Sequence, residues 1–232
     1  VQGMSGAVLD TKEFIPPPPG EKLGHPKALC MLFGAEFWER FCYYGMRALL
    51  AVYVAAQFFA HLPAGEAKAQ ASLTYGGYTS LVYATGILGG MIADRYLGYQ
   101  RSIILGGLLM AVGCFMLLSP EIHLFLIGLA VIVAGNGLFK PNISTMVGKL
   151  YAPGDVRRDS GFTIFYMGIN AGAFVAPLIT AVWIGANYGY KYGFLAAAIG
   201  MIFGIAVFQV RKGMLGHVGK SPAGREGWGP VL

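Results

Sequence analysis

From about Ala28 to about Ala60 the chain is apolar for long enough to cross a lipid bilayer, yet Glu36, Glu39, Arg40 and Arg47 fall inside that run. A charge at membrane depth is expensive, and it persists where it has a partner, a water-filled cavity or a task. On a helix turning about 100° per residue, Glu36, Glu39, Arg40, Tyr43 and Arg47 share an arc of about 100°, with Tyr44 at its edge. Trp38, Phe41, Cys42, Gly45 and Leu49 take the other side. The run therefore predicts a membrane helix with one wet, charged face and one apolar face. The rest of the chain has to supply what the wet face looks into.

Five more apolar runs follow, at about 73–93, 103–118, 124–148, 161–184 and 191–210. A spanning helix needs ~20 such residues; all but the third run reach that length, and the third is interrupted near Pro120. The chain is 56% hydrophobic and only 12% charged, against about 25% charged in typical soluble proteins. The expected fold is thus an all-α membrane protein of six transmembrane helices. Of the 17 Lys and Arg, Arg40, Arg47 and Lys140 lie within runs, and only Lys68 and Lys191 lie in connections opposite the N-terminus. The other basic residues place both ends in the cytoplasm by the positive-inside rule. Residues 1–26 read as a cytoplasmic tail ending in a polyproline-like spacer at Pro16–Pro19, residues 27–212 as the six-helix bundle and 213–232 as a basic, Gly-rich linker. The first run exceeds the apolar core of a cleavable leader and follows a polar tail, so it reads as a span.

Several classes drop out. The basic residues sit between apolar runs rather than in an aromatic-interleaved patch, which argues against nucleic acid as a partner. Cys30, Cys42 and Cys114 lack paired or metal-ligand spacing and read as small apolar packing residues, so no metal and no cofactor other than protons is expected. No nucleophile–base set or phosphate loop points to an enzyme.

What remains is polar chemistry inside the membrane. Glu36 precedes Arg40 by four residues, the spacing at which an acid and a base pair along a helix. Such a network either fixes packing or exchanges a proton: burial favours the neutral acid and a nearby guanidinium the carboxylate, so moving one against the other makes protonation depend on conformation. In the fourth run, Pro141 follows Lys140 and frees the carbonyl of Gly137, which predicts a loosened helix beside a buried cation. Arg40, Arg47 and Lys140 outnumber Glu36 and Glu39, and that surplus suits an anionic group such as a carboxylate. Gly89-Gly90 and Asp94-Arg95 stand where the second helix leaves the inner face; Asp94 is expected to accept hydrogen bonds from a helix N-terminus, and the pair to gate the inner mouth. Asn170 reads as a buried amide in the fifth run, and Tyr83 as an aromatic with a polar tip in the second.

These stretches together resemble the proton-dependent oligopeptide transporter family, a branch of the major facilitator superfamily. Its ExxERFxYY motif matches Glu36, Glu39, Arg40, Phe41, Tyr43 and Tyr44; its GGxxADRxxG signature matches Gly89, Gly90, Ala93, Asp94, Arg95 and Gly98. Phe139-Lys140-Pro141-Asn142 matches its FKPN element, and Phe162–Phe174 its fifth-helix signature; Ser102 departs mildly from the second signature. The resemblance covers about residues 25–212. It implies that Glu36, Glu39, Arg40 and Lys140 couple to protons, and that Arg47 and Lys140 hold a peptide carboxylate. Tyr43, Tyr44, Tyr83 and Asn170 would line the pocket. It also implies a multi-pass protein of the plasma membrane, surrounded by lipid, that transports di- and tripeptides with protons by alternating access. Nitrate or another small anion is the alternative cargo. The family has twelve or more helices in two bundles, so a second six-helix bundle, carrying the acid for the peptide's amino end, is expected beyond these residues. Without it the chain would be a bundle with no transport of its own.

Overall fold

The computed structural model describes residues 20–220; the expected polyproline spacer, with the rest of 1–19, and the linker residues 221–232 lie outside the described residues. Six long helices follow one another: α1 (Lys27–Phe58), α2 (Ala64–Ile92), α3 (Tyr99–Met116), α4 (Ile122–Lys149), α5 (Arg158–Pro177) and α6 (Tyr190–Arg211). Four of them, α3 to α6, are long and apolar enough to cross a membrane. At about 1.5 Å per residue, the 32 residues of α1 and 29 of α2 suffice in length, but polar residues dilute their hydropathy. The second helix starts nine residues before its apolar run. Ala64–Ser72 is too polar for lipid but rich in alanine, a strong helix former, and Pro63 ahead of it and Glu66 in its first turn suit a helix start.

The proline at 177 ends the regular winding of α5, which continues as a wider π-helical stretch, Leu178–Gly185, and a last turn, Ala186–Tyr188. Thr180 there is fully buried and donates to the carbonyls of Ala176 (2.9 Å) and Gly45 (3.0 Å), tying this stretch to α1. The loop before α4 is closed by Glu121, whose carboxylate accepts from the backbone N–H groups of His123 and Leu124 at 2.8 and 2.6 Å. Those two donors hold its carboxyl below the ordinary range.

Packing puts α1 at the centre, against α5, α6 and α2, while α3 lies between α4 and α6, and α2 runs along α4. The α3–α4 pair is zipped by glycines two turns apart. A Cβ on Gly106 would come 2.6 Å from the carbonyl oxygen of Gly135, and one on Gly113 would come 2.7 Å from that of Gly128. With no hydrophobic force between helices in lipid, such backbone proximity is how dispersion holds them together. At one end Tyr53, Phe58, Phe125 and Phe194 stack into an aromatic cluster that joins α1, α4 and α6, with centroids 5.0–6.0 Å apart.

At the opposite end residues 20–26 and 212–220 pack on the bundle. Residues 20–26 form a small hairpin, β1 (Glu21–Lys22) with β2 (His25–Pro26), turning at Leu23 and Gly24 in the left-handed region. Buried His25 meets the Tyr151 hydroxyl through Nδ1 at 2.9 Å. Arg157 donates to Glu21 (2.7 Å) and Asp155 (2.8 Å), and to the Gly24 carbonyl (3.3 Å). Arg157 holds the Asp155 carboxyl below its ordinary range, and burial pushes the Tyr151 hydroxyl up. The linker likewise begins packed: Leu215 and Val218 are buried, and the Val218 and Gly219 carbonyls accept from Gln100 at 2.8 and 2.9 Å.

Candidate functional site

Three of the charged residues of α1 are buried, against the expectation of a wet face there. Glu36, Glu39 and Arg40 are at most 2% exposed. The Arg40 Nε–H donates to the Glu39 carboxylate, and Nε lies 3.1 Å from Glu36 Oε1 in an ion pair. The second oxygen of Glu39 accepts from Asn136 Nδ2 on α4 at 2.9 Å, and the guanidinium lies 5.1 and 5.9 Å from the ring centroids of Tyr43 and Tyr44. The charges tolerate this burial because they largely cancel and hydrogen-bond one another. By formal charge two carboxylates outnumber one guanidinium by one. Among the described residues Glu36 Oε2 and Arg40 Nη2 are buried with no hydrogen-bond partner. The cluster thus sets two carboxyl groups against one guanidinium, with one carboxyl oxygen unpartnered.

The other predicted residues are spread around this cluster. Tyr43 is buried and stacks on Tyr78 of α2 (6.4 Å), while Tyr44 and Arg47 are half-buried. The Arg47 Nε–H donates to the Tyr75 hydroxyl, and its guanidinium lies 5.2 Å from that ring's centroid. Lys140 is exposed rather than buried, with its Nζ 5.5 Å from the centroid of exposed Tyr83. Asn170, expected to be buried, is exposed on α5, because that helix turns Gly168 and Gly172 toward Phe33, Phe37 and Arg40 of α1 instead.

The expected break at Pro141 does not occur; α4 runs through it without interruption. The carbonyl of Gly137 faces Gly89 of α2, so closely that a Cβ on Gly89 would overlap it. Asn142 Nδ2 spans the same crossing, donating to Leu138 O (2.7 Å) and Gly89 O (3.3 Å). Proline's missing donor thus opens a place for the neighbouring helix rather than a kink. Asp94 caps no helix N-terminus either. It is exposed in a π-helical turn, Ala93–Leu97, and accepts from the Tyr99 hydroxyl at 2.6 Å. Arg95 is exposed beside it, and the Tyr99 ring lies 5.0 Å from Lys149 Nζ.

Three partners were missed from the sequence. An amide in an apolar run was the signal for Asn136, since polar side chains in such runs usually bridge helices. Tyr75 and Tyr78 gave no signal beyond their three-residue spacing on α2, which only the packing of α2 against α1 turns into contacts. Cys42 and Cys114 are buried with their Sγ atoms 3.5 Å apart, in keeping with a packing role.

The chain matches the model of the POT family over residues 100–223. It is 46% identical over 205 residues to a di-/tripeptide transporter of Lactococcus lactis subsp. lactis, covering 86% of this chain and 41% of that protein. It is 44% identical over 189 residues to the peptide transporter YePEPT of Yersinia enterocolitica, covering 80% and 37%. Among solved structures it superposes on a peptide transporter POT in complex with sulfate with a TM-score of 0.78 and 46% identity, over 88% of this chain and 42% of that one. A POT family transporter in complex with 5-aminolevulinic acid gives 0.80 and 39%, over 89% and 42%. The chain spans about two fifths of the length of these relatives, which are transporters. With a six-helix bundle of this shape and a family match over more than half its residues, the chain belongs to the POT family.

Proposed function

We propose that the chain is the N-terminal bundle of a proton-coupled symporter of di- and tripeptides, working by alternating access against a second six-helix bundle. The observation that carries this reading is the buried Glu36–Arg40–Glu39 cluster, two carboxyls on one guanidinium, hydrogen-bonded to α4 through Asn136. In this reading the proton enters on Glu36 or Glu39, loosens the hold on Arg40 and lets α1 shift against α4. Arg47 and Lys140, each beside an aromatic ring, supply the cationic pole for the peptide carboxylate, with Tyr43, Tyr44, Tyr83 and Asn170 around the cargo. Asp94 and Arg95 act at the inner mouth. Both ends of the bundle lie in the cytoplasm, in agreement with the basic residues at Arg95, Lys149 and Arg157.

The test is dipeptide uptake by vesicles containing this bundle joined to its second half, driven by an inward proton gradient. Glu36→Gln with Glu39→Gln is expected to abolish gradient-driven uptake while leaving exchange of labelled for unlabelled dipeptide. Undiminished driven uptake would remove the coupling role. The same cationic pole suits a small inorganic anion, so nitrate is the competing cargo: uptake that nitrate inhibits and dipeptides do not would replace the peptide.

A further inference from the structure

The three cations within the apolar runs are held in three different ways. Arg40 has two carboxylates; Lys140 has the ring of Tyr83. Arg47 has a hydroxyl instead. Its Nε–H donates to the hydroxyl of Tyr75, and its guanidinium lies 5.2 Å from that ring's centroid. A neutral hydroxyl anchors the side chain without cancelling its charge, which an acid in the same place would do.

The choice of atom also matters. A guanidinium can grip a planar oxyanion along either of two edges, one formed by Nε with an Nη and one by the two Nη groups. Tyr75 occupies the first edge. The end-on pair, Nη1 and Nη2, is left to donate, on a side chain that is half-buried beside half-buried Tyr44 and exposed Ala48. We propose that Tyr75 is a positioning residue, fixing Arg47 so that its end-on Nη pair meets the carboxylate of the cargo. This rests on the anion-binding role given to Arg47 above and extends the site to α2. An arginine already anchored at Nε has given up rotamer freedom before the ligand arrives, and such preorganisation appears as affinity.

The experiment compares Tyr75→Phe, which keeps the ring and removes the acceptor, with Tyr75→Leu, which removes both. Both are made in the full transporter and measured by vesicle uptake of a dipeptide and of its C-terminal amide. Tyr75→Phe is expected to raise KM for the dipeptide about five- to tenfold with kcat little changed. Its preference for the free carboxylate over the amide falls by the same factor, Tyr75→Leu loses more, and Tyr75→Phe adds nothing in an Arg47→Ala background. An unchanged carboxylate preference, or an equal loss in the Arg47→Ala background, overturns the proposal. If the wild type moves no dipeptide, the cargo reading fails and sulfate becomes the probe. Sulfate-dependent thermal stabilisation should then weaken by a similar factor in Tyr75→Phe. Equal stabilisation of the two proteins, or none in the wild type, overturns the positioning role independently.

Discussion

Arg40→Leu, with both glutamates kept, is expected to destabilise the bundle by about 3–5 kcal/mol, the usual cost of leaving one side of a buried ion pair uncompensated. The guanidinium is buried and is the cation in contact with both Glu36 and Glu39. Its removal leaves two carboxylates at membrane depth, with Asn136 as the hydrogen-bond donor to one of them. Unfolding in detergent, followed by denaturant or temperature, measures the loss. The companion variant separates charge from shape: Glu36→Gln, Glu39→Gln and Arg40→Leu together leave no buried charge. That protein is expected to recover most of the stability while transporting nothing. An Arg40→Leu protein as stable as the wild type would mean that the cluster is hydrated rather than dry, and the neutralisation account would fall.

The second large effect is expected at the crossing of α2 and α4. Gly89→Val places a side chain where the Gly137 carbonyl already sits, so the helices have to separate or α4 has to bend. Overpacking alone costs about 1–3 kcal/mol, and the Asn142 hydrogen bond to the Gly89 carbonyl, about 1 kcal/mol more, is lost with the separation. Gly90 supplies the control, since a Cβ there meets nothing within 4 Å. Gly90→Ala should leave stability unchanged or raise it slightly, because alanine is the better helix former. Equal behaviour of the two positions in thermal unfolding would show that the crossing is looser than described.

The motif residues differ in how much of their role the sequence carried. Glu36, Glu39 and Arg40 are linked by positions along one helix, and the pairing expected from their spacing is present. Asn170 and Lys140 depended on a different kind of information. Periodicity places a residue on a face of its helix but does not say whether that face meets another helix. In α5 the glycine-bearing face goes inward and Asn170 stays out. In α4, Pro141 was read from local backbone chemistry as a break, while the outcome was decided by Gly89 on another helix.

The hairpin at residues 20–26 makes the same point at the end of the bundle. His25 and Glu21 lie in a polar stretch without periodicity, and they are ordered by Tyr151 and Arg157, well over a hundred residues away. Nothing local announces such a contact.

By itself, then, the sequence determined that the chain crosses a membrane in six helices, which residues carry charge within it, and that Glu36 and Arg40 meet. These follow from hydropathy, length and the helical repeat, all properties of a chain read locally. Only the tertiary structure decided that Glu36, Glu39 and Arg40 are buried, that Tyr75 anchors Arg47, and that α2 and α4 touch through bare backbone. The physical reason is the central position of α1. A helix surrounded by α2, α5 and α6 buries its polar face as well as its apolar one, and the partners that make this affordable in free energy come from elsewhere in the chain.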